Sequence, residues 1–229
     1  MSSGPAATAE DGGLRHLAIQ TFGVRLPLAD QFAQLLSTQG IARGLIGPRE
    51  AARVWDRHLL NCAALTELLP LNARVVDVGS GAGLPGLVLA IRRPDLRIDL
   101  VDSLQRRTNF LSEAVVALGL EGEVRVIHGR AEDRTVLDLV GSALWVTARA
   151  VAPLDRLVAW CLPLLAPGGR LLAIKGRSAT QELAAHRDAV RRAGGRDSRV
   201  LRCEVAGMSE PISVVSVRRA ELRAKKGSS

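Results

Sequence analysis

From Leu14 to Leu69 the apolar positions recur at helical spacing, with Phe32, Leu35, Leu36 and Ile41 on one stripe that Gly44 to Pro48 interrupts. A second stripe, starting at Pro48, carries Val54, Leu59, Ala63, Leu65, Leu68 and Leu69, and Pro70 to Arg74 reads as a turn. A helical N-terminal cap is therefore expected over residues 14–72. Beyond Arg74 the period changes. Val75-Val76-Asp77-Val78 is a short β-branched run, apolar but for Asp77, the pattern of a strand buried on both sides. The same kind of run returns at Ile98–Val101, Val124–Ile127, Leu144–Thr147 and Leu171–Ile174. Helical stretches are expected at Leu84–Ile91, Leu104–Leu118, Pro153–Leu165 and Thr180–Ala193. The last two strands, near Val200–Val205 and Ser213–Val217, leave no room for a helix between them, so they should form a hairpin.

Strands alternating with helices predict an α/β fold, with a mostly parallel seven-stranded sheet covered on both faces and closed by a C-terminal hairpin. The sheet domain should span residues 73–220. Residues 1–13, small and acidic with no basic start and no apolar stretch, read as a disordered tail rather than a secretory signal. Residues 221–229 read as a flexible basic tail.

The chain has 229 residues, of which 47% are hydrophobic and 24% charged, a balance that excludes an intrinsically disordered protein. No apolar run approaches the roughly 18 residues that span a bilayer, so no membrane association is expected. The three cysteines, Cys62, Cys161 and Cys203, are scattered and form no Cys-x-x-Cys pair or Cys/His cluster. That pattern supports neither a disulfide framework nor a metal site, and it suits a reducing cytoplasm. Thirty-one basic against 23 acidic residues leave a net charge of +8. Such a surface attracts polyanions, nucleic acid above all. With aromatic content at 3% and no Tyr, base-stacking platforms of the single-strand-binding type are not expected.

The most informative stretch is Val75-Val76-Asp77-Val78-Gly79-Ser80-Gly81-Ala82-Gly83-Leu84-Pro85-Gly86, where a strand runs into a glycine turn and then a helix. Glycine is required where φ is positive or where a ligand must touch the main chain. Gly81, Gly83 and Gly86 satisfy G-x-G-x-x-G, so a dinucleotide site must be weighed. Against it stand an acid inside the strand end and Pro85, placed where a pyrophosphate would want free helix N–H donors. S-adenosylmethionine carries no phosphate and needs close approach to glycine backbone and an acceptor for its amino group. Gly79, Gly81 and Gly83 meet the first need; Asp77 meets the second directly or holds the loop. Asp102, ending the second strand, suits a ribose diol, and the amides of Ala131 and Glu132, after the third strand, suit an adenine edge. An acid at each of the first two strand ends and a closing hairpin together favour a class I methyltransferase of Rossmann-like fold.

The chain closely resembles the glucose-inhibited division protein B family, also called RsmG, of bacterial 16S ribosomal RNA guanine-N7 methyltransferases. The resemblance runs from about Leu28 to Arg219 and rests on Asp77–Gly86 (DVGSGAGLPG), Asp102-Ser103-Leu104 with Arg106-Arg107, and Ala131-Glu132. Arg149-Ala150, Leu172–Gly176 and Trp55–Leu60 complete it. It implies S-adenosyl-L-methionine as cofactor, contacted at Gly79, Leu84, Ala131, Glu132 and Arg149. It also implies methylation of a guanine in the 530-loop region of 16S ribosomal RNA, on the small subunit or an assembly intermediate. The chain departs from the family pattern at Asn61-Cys62, at Ala148 and at Glu210-Pro211.

Guanine N7 already presents an in-plane lone pair, so catalysis should be positioning with no general base. Arg149, following a strand at the functional edge, is the side chain expected nearest the chemistry, and Lys175 ends the next strand on that edge. Arg49, Arg53 and Arg57 fall four residues apart and predict a basic helical face beside His58. With Arg106 and Lys175 these are the expected RNA contacts, and Arg187, Arg191, Arg192 and Arg196 form a second basic run. A methyltransferase acting on another RNA, a small molecule or a protein is the alternative reading; an NAD-binding oxidoreductase and a non-catalytic RNA-binding domain are others. A monomer is expected.

Overall fold

In a computed structural model of the chain, residues 9–149, 151–204, 208 and 210–221 are described. The N-terminal third is helical: α1 (Ala9–Phe22), α2 (Leu26–Leu35), α3 (Pro48–Ala51) and α4 (Leu60–Ala63). Two π-helical segments, Leu36–Gly40 and Val54–Leu59, join them, and a 3₁₀ turn at Ala64–Leu68 ends the cap. There follow β1 (Arg74–Val78), α5 (Gly86–Arg92), β2 (Arg97–Asp102), α6 (Gln105–Ala117), β3 (Val124–His128), α7 (Arg134–Val140) and β4 (Ala143–Arg149). The chain continues through α8 (Leu154–Cys161), β5 (Leu165–Lys175), α9 (Ala179–Ala185), α10 (Arg187–Arg192), β6 (Gly195–Cys203) and β7 (Ile212–Arg219).

The seven strands lie in the order β3-β2-β1-β4-β5-β7-β6. The first five are parallel; β7 runs antiparallel between β5 and β6, so the expected terminal hairpin forms with its second strand inside. From β1 the chain moves outward to β2 and β3, then crosses back to β4 on the other side. That reversal opens a crevice outside the carboxyl ends of β1 and β4, where open α/β sheets bind ligands.

One apolar cluster fills each face. The first unites Phe22, Phe32, Leu36, Leu59, Leu60 and Leu65 of the cap with Val75 of β1, Leu87 and Leu89 of α5 and Phe110 of α6. The second packs Val76, Val146 and Ala173 against Leu157, Val158 and Cys161 of α8. The cap has no core of its own, because its apolar stripe is buried on the sheet's helices.

Several expectations are corrected. Residues 9–13 belong to helix α1, so the expected tail of 1–13 loses its last five residues; 1–8 lie outside the described residues, as do 222–229 of the C-terminal tail. Helix α7 was not foreseen: it is seven residues long, with Val136 and Val140 its buried positions, too short to show a period. Strand β5 starts at Leu165 rather than Leu171, pairing Ala143 with Leu165 before a register shift between Ala143 and Trp145. The Thr180–Ala193 helix breaks at His186, where φ −104° and ψ 12° leave the helical region. Val205, the expected end of the sixth strand, lies outside the described residues.

Candidate functional site

The turn after β1 is built by hydrogen bonds to its own sheet. The Gly79 and Ser80 N–H groups donate to the Val101 carbonyl of β2, at 2.8 and 3.2 Å, so the loop is pinned over the β1–β2 edge. Gly79, Gly81 and Gly83 have φ of +68°, +57° and +88°, a conformation that costs any residue with a Cβ. Their surroundings differ. A Cβ on Gly83 would lie 2.5 Å from Leu87 Cδ1, and one on Gly86 2.2 Å from Leu100 Cδ2, so these two glycines let α5 approach the sheet. A Cβ on Gly81 would meet only the Gly79 carbonyl oxygen, at 3.7 Å, leaving main chain open to a ligand.

Asp77 is wholly buried, and both carboxylate oxygens are taken. The Thr147 hydroxyl donates to Oδ1 at 2.8 Å and the Gly86 N–H to Oδ2 at 3.2 Å. Burial pushes its carboxyl up to about 7, against the opposing pull of these donors and of Ser80. It therefore ties β1, β4 and the start of α5 together; of the two roles expected for it, the structure favours holding the loop.

Asp102 is 3% exposed and stands on the wall of a cleft. Its Oδ1 accepts from the Leu104 N–H at 3.0 Å; its Oδ2 accepts from the Gly81 N–H at 2.9 Å, with Arg107 Nη1 at 3.4 Å. Each carboxylate oxygen offers two lone pairs, so Oδ1 retains one for a hydroxyl donor. Gly79, Arg107, Ala131, Glu132, Val151 and Trp160 line the same cleft. Thus Gly79, Asp102, Ala131 and Glu132 are brought together, as the motif spacing requires. Gly81 sits behind Asp102, while Gly83 and Leu84 pack into the core.

Sequence reading missed Arg107, Val151 and Trp160. Helix α6 turns Arg107 toward the cleft and leaves the neighbouring Arg106 exposed, a phase that follows from its buried Phe110 and Leu111. The Trp160 ring, at the end of α8, carries the Arg156 guanidinium 5.1 Å from its centroid. No sequence motif marks Val151; its side chain arrives against Gly79 through the turn after β4.

Arg149 does not line the cleft. Its guanidinium reaches the cap, donating to Cys62 Sγ at 2.9 Å, to the Arg57 carbonyl at 3.1 Å and to His58 Nδ1 at 2.5 Å. A guanidinium only donates, so His58 Nδ1 must accept, and the imidazole is the neutral tautomer with its proton on Nε2. Nε2 lies 3.0 Å from Glu50 Oε2, although the angle is poor for a hydrogen bond. Burial first, and then the Arg149 charge, lower the His58 value to about 4. His58 is 6% exposed and uncharged, so the expectation that it contacts RNA is corrected.

Two further RNA-contact expectations change. The helix that should have aligned Arg49, Arg53 and Arg57 stops at Ala51, and the following segment is π-helical, so the three do not form one continuous face. Arg49 is exposed, Arg53 donates to Asp56 at 2.9 Å through Nε, and Arg57 donates to Glu50 at 3.2 Å. Lys175 is turned inward, its ammonium donating to the Ala152 carbonyl and to Glu182, both at 2.8 Å, with the side chain 10% exposed. It braces β5 against α9 rather than facing solvent. Cys161 is buried, which raises its thiol far above the ordinary value, as suits a core residue. Among the described residues no cluster of three or more His, Cys, Asp or Glu could hold a metal ion.

The family model described as rRNA small subunit methyltransferase G matches residues 25–210. The chain is 56% identical over 221 residues to the Ribosomal RNA small subunit methyltransferase G of Salinispora arenicola, covering 94% of this chain and 90% of that relative. It is 56% identical over 203 residues to the protein of the same name from Salinispora tropica, covering 86% and 83%. Among solved structures, the apo S-adenosylmethionine-dependent methyltransferase SibL superimposes with a TM-score of 0.59 at 18% identity, covering 93% of this chain and 75% of that one. At that identity the likeness shows the fold, a class I methyltransferase sheet.

Proposed function

The chain belongs to the rRNA small subunit methyltransferase G family, and from that premise we propose that it transfers a methyl group from S-adenosyl-L-methionine to N7 of a guanine in the 530-loop region of 16S ribosomal RNA. The observation that carries the cofactor assignment is the cleft at the switch point, where Asp102 keeps one acceptor site on a lining shared with Gly79, Ala131 and Glu132. When bound, the cofactor supplies a methyl group already activated on a sulfonium sulfur.

The chain's own residues then have to bind and orient. Asp102 would take a ribose hydroxyl on Oδ1 while its Oδ2 keeps Gly81 and the loop in place. The main chain at Ala131 and Glu132 lines the same cleft for the adenine end. Val151 and Trp160 give the cleft apolar walls that exclude water. Arg149 acts as a positioning residue: it clamps the π-helical segment of the cap to the end of β4 beside the reacting edge. No side chain has to remove a proton from N7, because its lone pair already lies in the base plane.

Mass spectrometry of small-subunit RNA tests the assignment. Cells lacking the protein should lack one methyl on a guanine of the 530 loop, restored by the intact gene; an unchanged methylation pattern would overturn it. Calorimetry separates the cofactor question, with S-adenosylhomocysteine expected to bind and NAD not. The partner is accordingly the small subunit or its RNA. Among the described residues no helix is long and apolar enough to cross a membrane.

A further inference from the structure

Midway along β5, away from the carboxyl-end cleft, three arginines stand directly opposite one another on adjacent strands. Arg170 of β5 pairs in register with Arg218 of β7, and Arg218 with Arg196 of β6. Directly opposed residues share a face, and strands lie about 4.8 Å apart, so the three side chains rise from one row about 10 Å long. Past the bulge in β6, Arg199 opposes Ser216, two residues before Arg218, and so joins the same face. Helices α9 and α10 cover the other face of the β6–β7 hairpin.

The carboxylates present do not match this charge. Asp197 takes Arg170 at 2.6 Å, and Glu221 takes Arg218 at 3.2 Å. Among the described residues, Arg196 and Arg199 have no carboxylate within ion-pair distance; Arg196 donates through Nη1 to the Arg191 and Gly195 carbonyls. The Asp197 carboxyl is held below its ordinary value by Arg170 first, with Arg199 and Arg218 adding to the pull. The Arg218 Nε is buried without an acceptor. Like charges directly opposite destabilise a sheet, so packing alone does not favour this row.

We propose that Arg170, Arg196, Arg199 and Arg218 form a phosphate-binding row that docks a second segment of the RNA backbone, separate from the segment delivered to the cleft. Planar guanidinium forks pair bidentately with phosphate, and arginines repeated at strand spacing along one row suit the regularly repeated charge of an RNA backbone. The row would hold the substrate in register by contacts that carry no sequence information, leaving base selection to the cleft. This rests on the reading of the protein as a ribosomal RNA methyltransferase.

Two double variants test it, Arg196→Glu with Arg199→Glu and the neutral Arg196→Gln with Arg199→Gln; both residues are exposed. Affinity for small-subunit RNA is measured against salt concentration, and affinity for S-adenosylhomocysteine by calorimetry. The expected result is an RNA affinity at least about 10-fold weaker at ~0.1 M salt for the Glu pair, with a log–log salt slope shallower by about 1–2 for both pairs. Nucleoside affinity should match the wild type. Wild-type slopes and RNA affinities in both pairs overturn the row alone. A parallel loss of nucleoside affinity also overturns it, since the substitutions would then act through the fold. Failure of the wild-type protein to bind small-subunit RNA overturns the underlying reading as well, and the two failures are thereby distinguishable.

Discussion

Asp77 sits in full burial with its two oxygens held by Thr147 and Gly86, and its carboxyl titrates near 7 rather than 3.8. A raised folded value means that the native state binds the extra proton. Its contribution is therefore complete below about pH 4 and is lost as pH rises through about 7, on the order of 4 kcal/mol over the window. Asp77→Asn removes the titration while keeping an acceptor for the Gly86 N–H. The Tm of the variant relative to wild type should rise from pH 5 to pH 8; a constant difference would contradict the raised value. Gly81 makes a second expectation at this scale. Val at φ +57° costs about 1–3 kcal/mol of strain, but the space around the Cβ is open, so the fold should survive. Gly81→Val should unfold cooperatively yet fail to bind S-adenosylhomocysteine by calorimetry, since relief of the strain at φ +57° shifts the Gly81 N–H that holds Asp102 Oδ2 in place. Tight binding by this variant would argue against the cleft as the cofactor site. The glycines were readable from their spacing; that Gly83 and Gly86 serve helix packing while Gly81 faces open space was not, because spacing does not say what stands opposite a Cα.

Among the elements, the π-helical segment Val54–Leu59 changes the site most. A regular helix from Pro48 would have set Arg53 and Arg57 in line; the altered winding instead buries His58 and offers its Nδ1 and the Arg57 carbonyl to Arg149. His58→Ala would leave donors of Arg149 without acceptors, at a cost of about 1–3 kcal/mol, and His58→Asn should recover most of it. Chemical denaturation of the two variants measures this, and equal losses would show that packing rather than the hydrogen bond matters. The pH signature opposes that of Asp77. The His58 value of about 4 lies below the ordinary 6.5, so its contribution is complete above about pH 6.5 and is lost as pH falls through about 4. Arg149 and Arg57 oppose its protonation, while Glu50 and Asp56 favour it. The wild-type Tm should accordingly fall more than that of His58→Asn between pH 6.5 and 4.5. Winding that departs from 3.6 residues per turn leaves no clear periodic trace, so this segment was legible as helical and illegible in phase.

At the scale of the molecule, cap and sheet are one folding unit. Phe32, Leu36 and Leu59 pack in the same cluster as Leu87, Leu89 and Phe110, so removing residues 9–68 would expose the outer faces of α5 and α6. The shortened chain should show no cooperative unfolding transition and should bind the dye ANS; a cooperative transition would establish the cap as a separate domain. The α/β class, the order of the strands along the chain, the glycine turn and the acids Asp77 and Asp102 are all legible without coordinates. These are local patterns: β-branched runs, a period change at Val75 and side chains at strand ends. Which charged groups are free depends on the packing of the folded chain. That packing turned Lys175 onto Glu182, buried His58 under Arg149, chose Arg107 over Arg106 for the cleft, and stacked Arg170, Arg218 and Arg196 in one row. A charge acquires its role from neighbours distant in sequence, across strands paired at separations that no local period records.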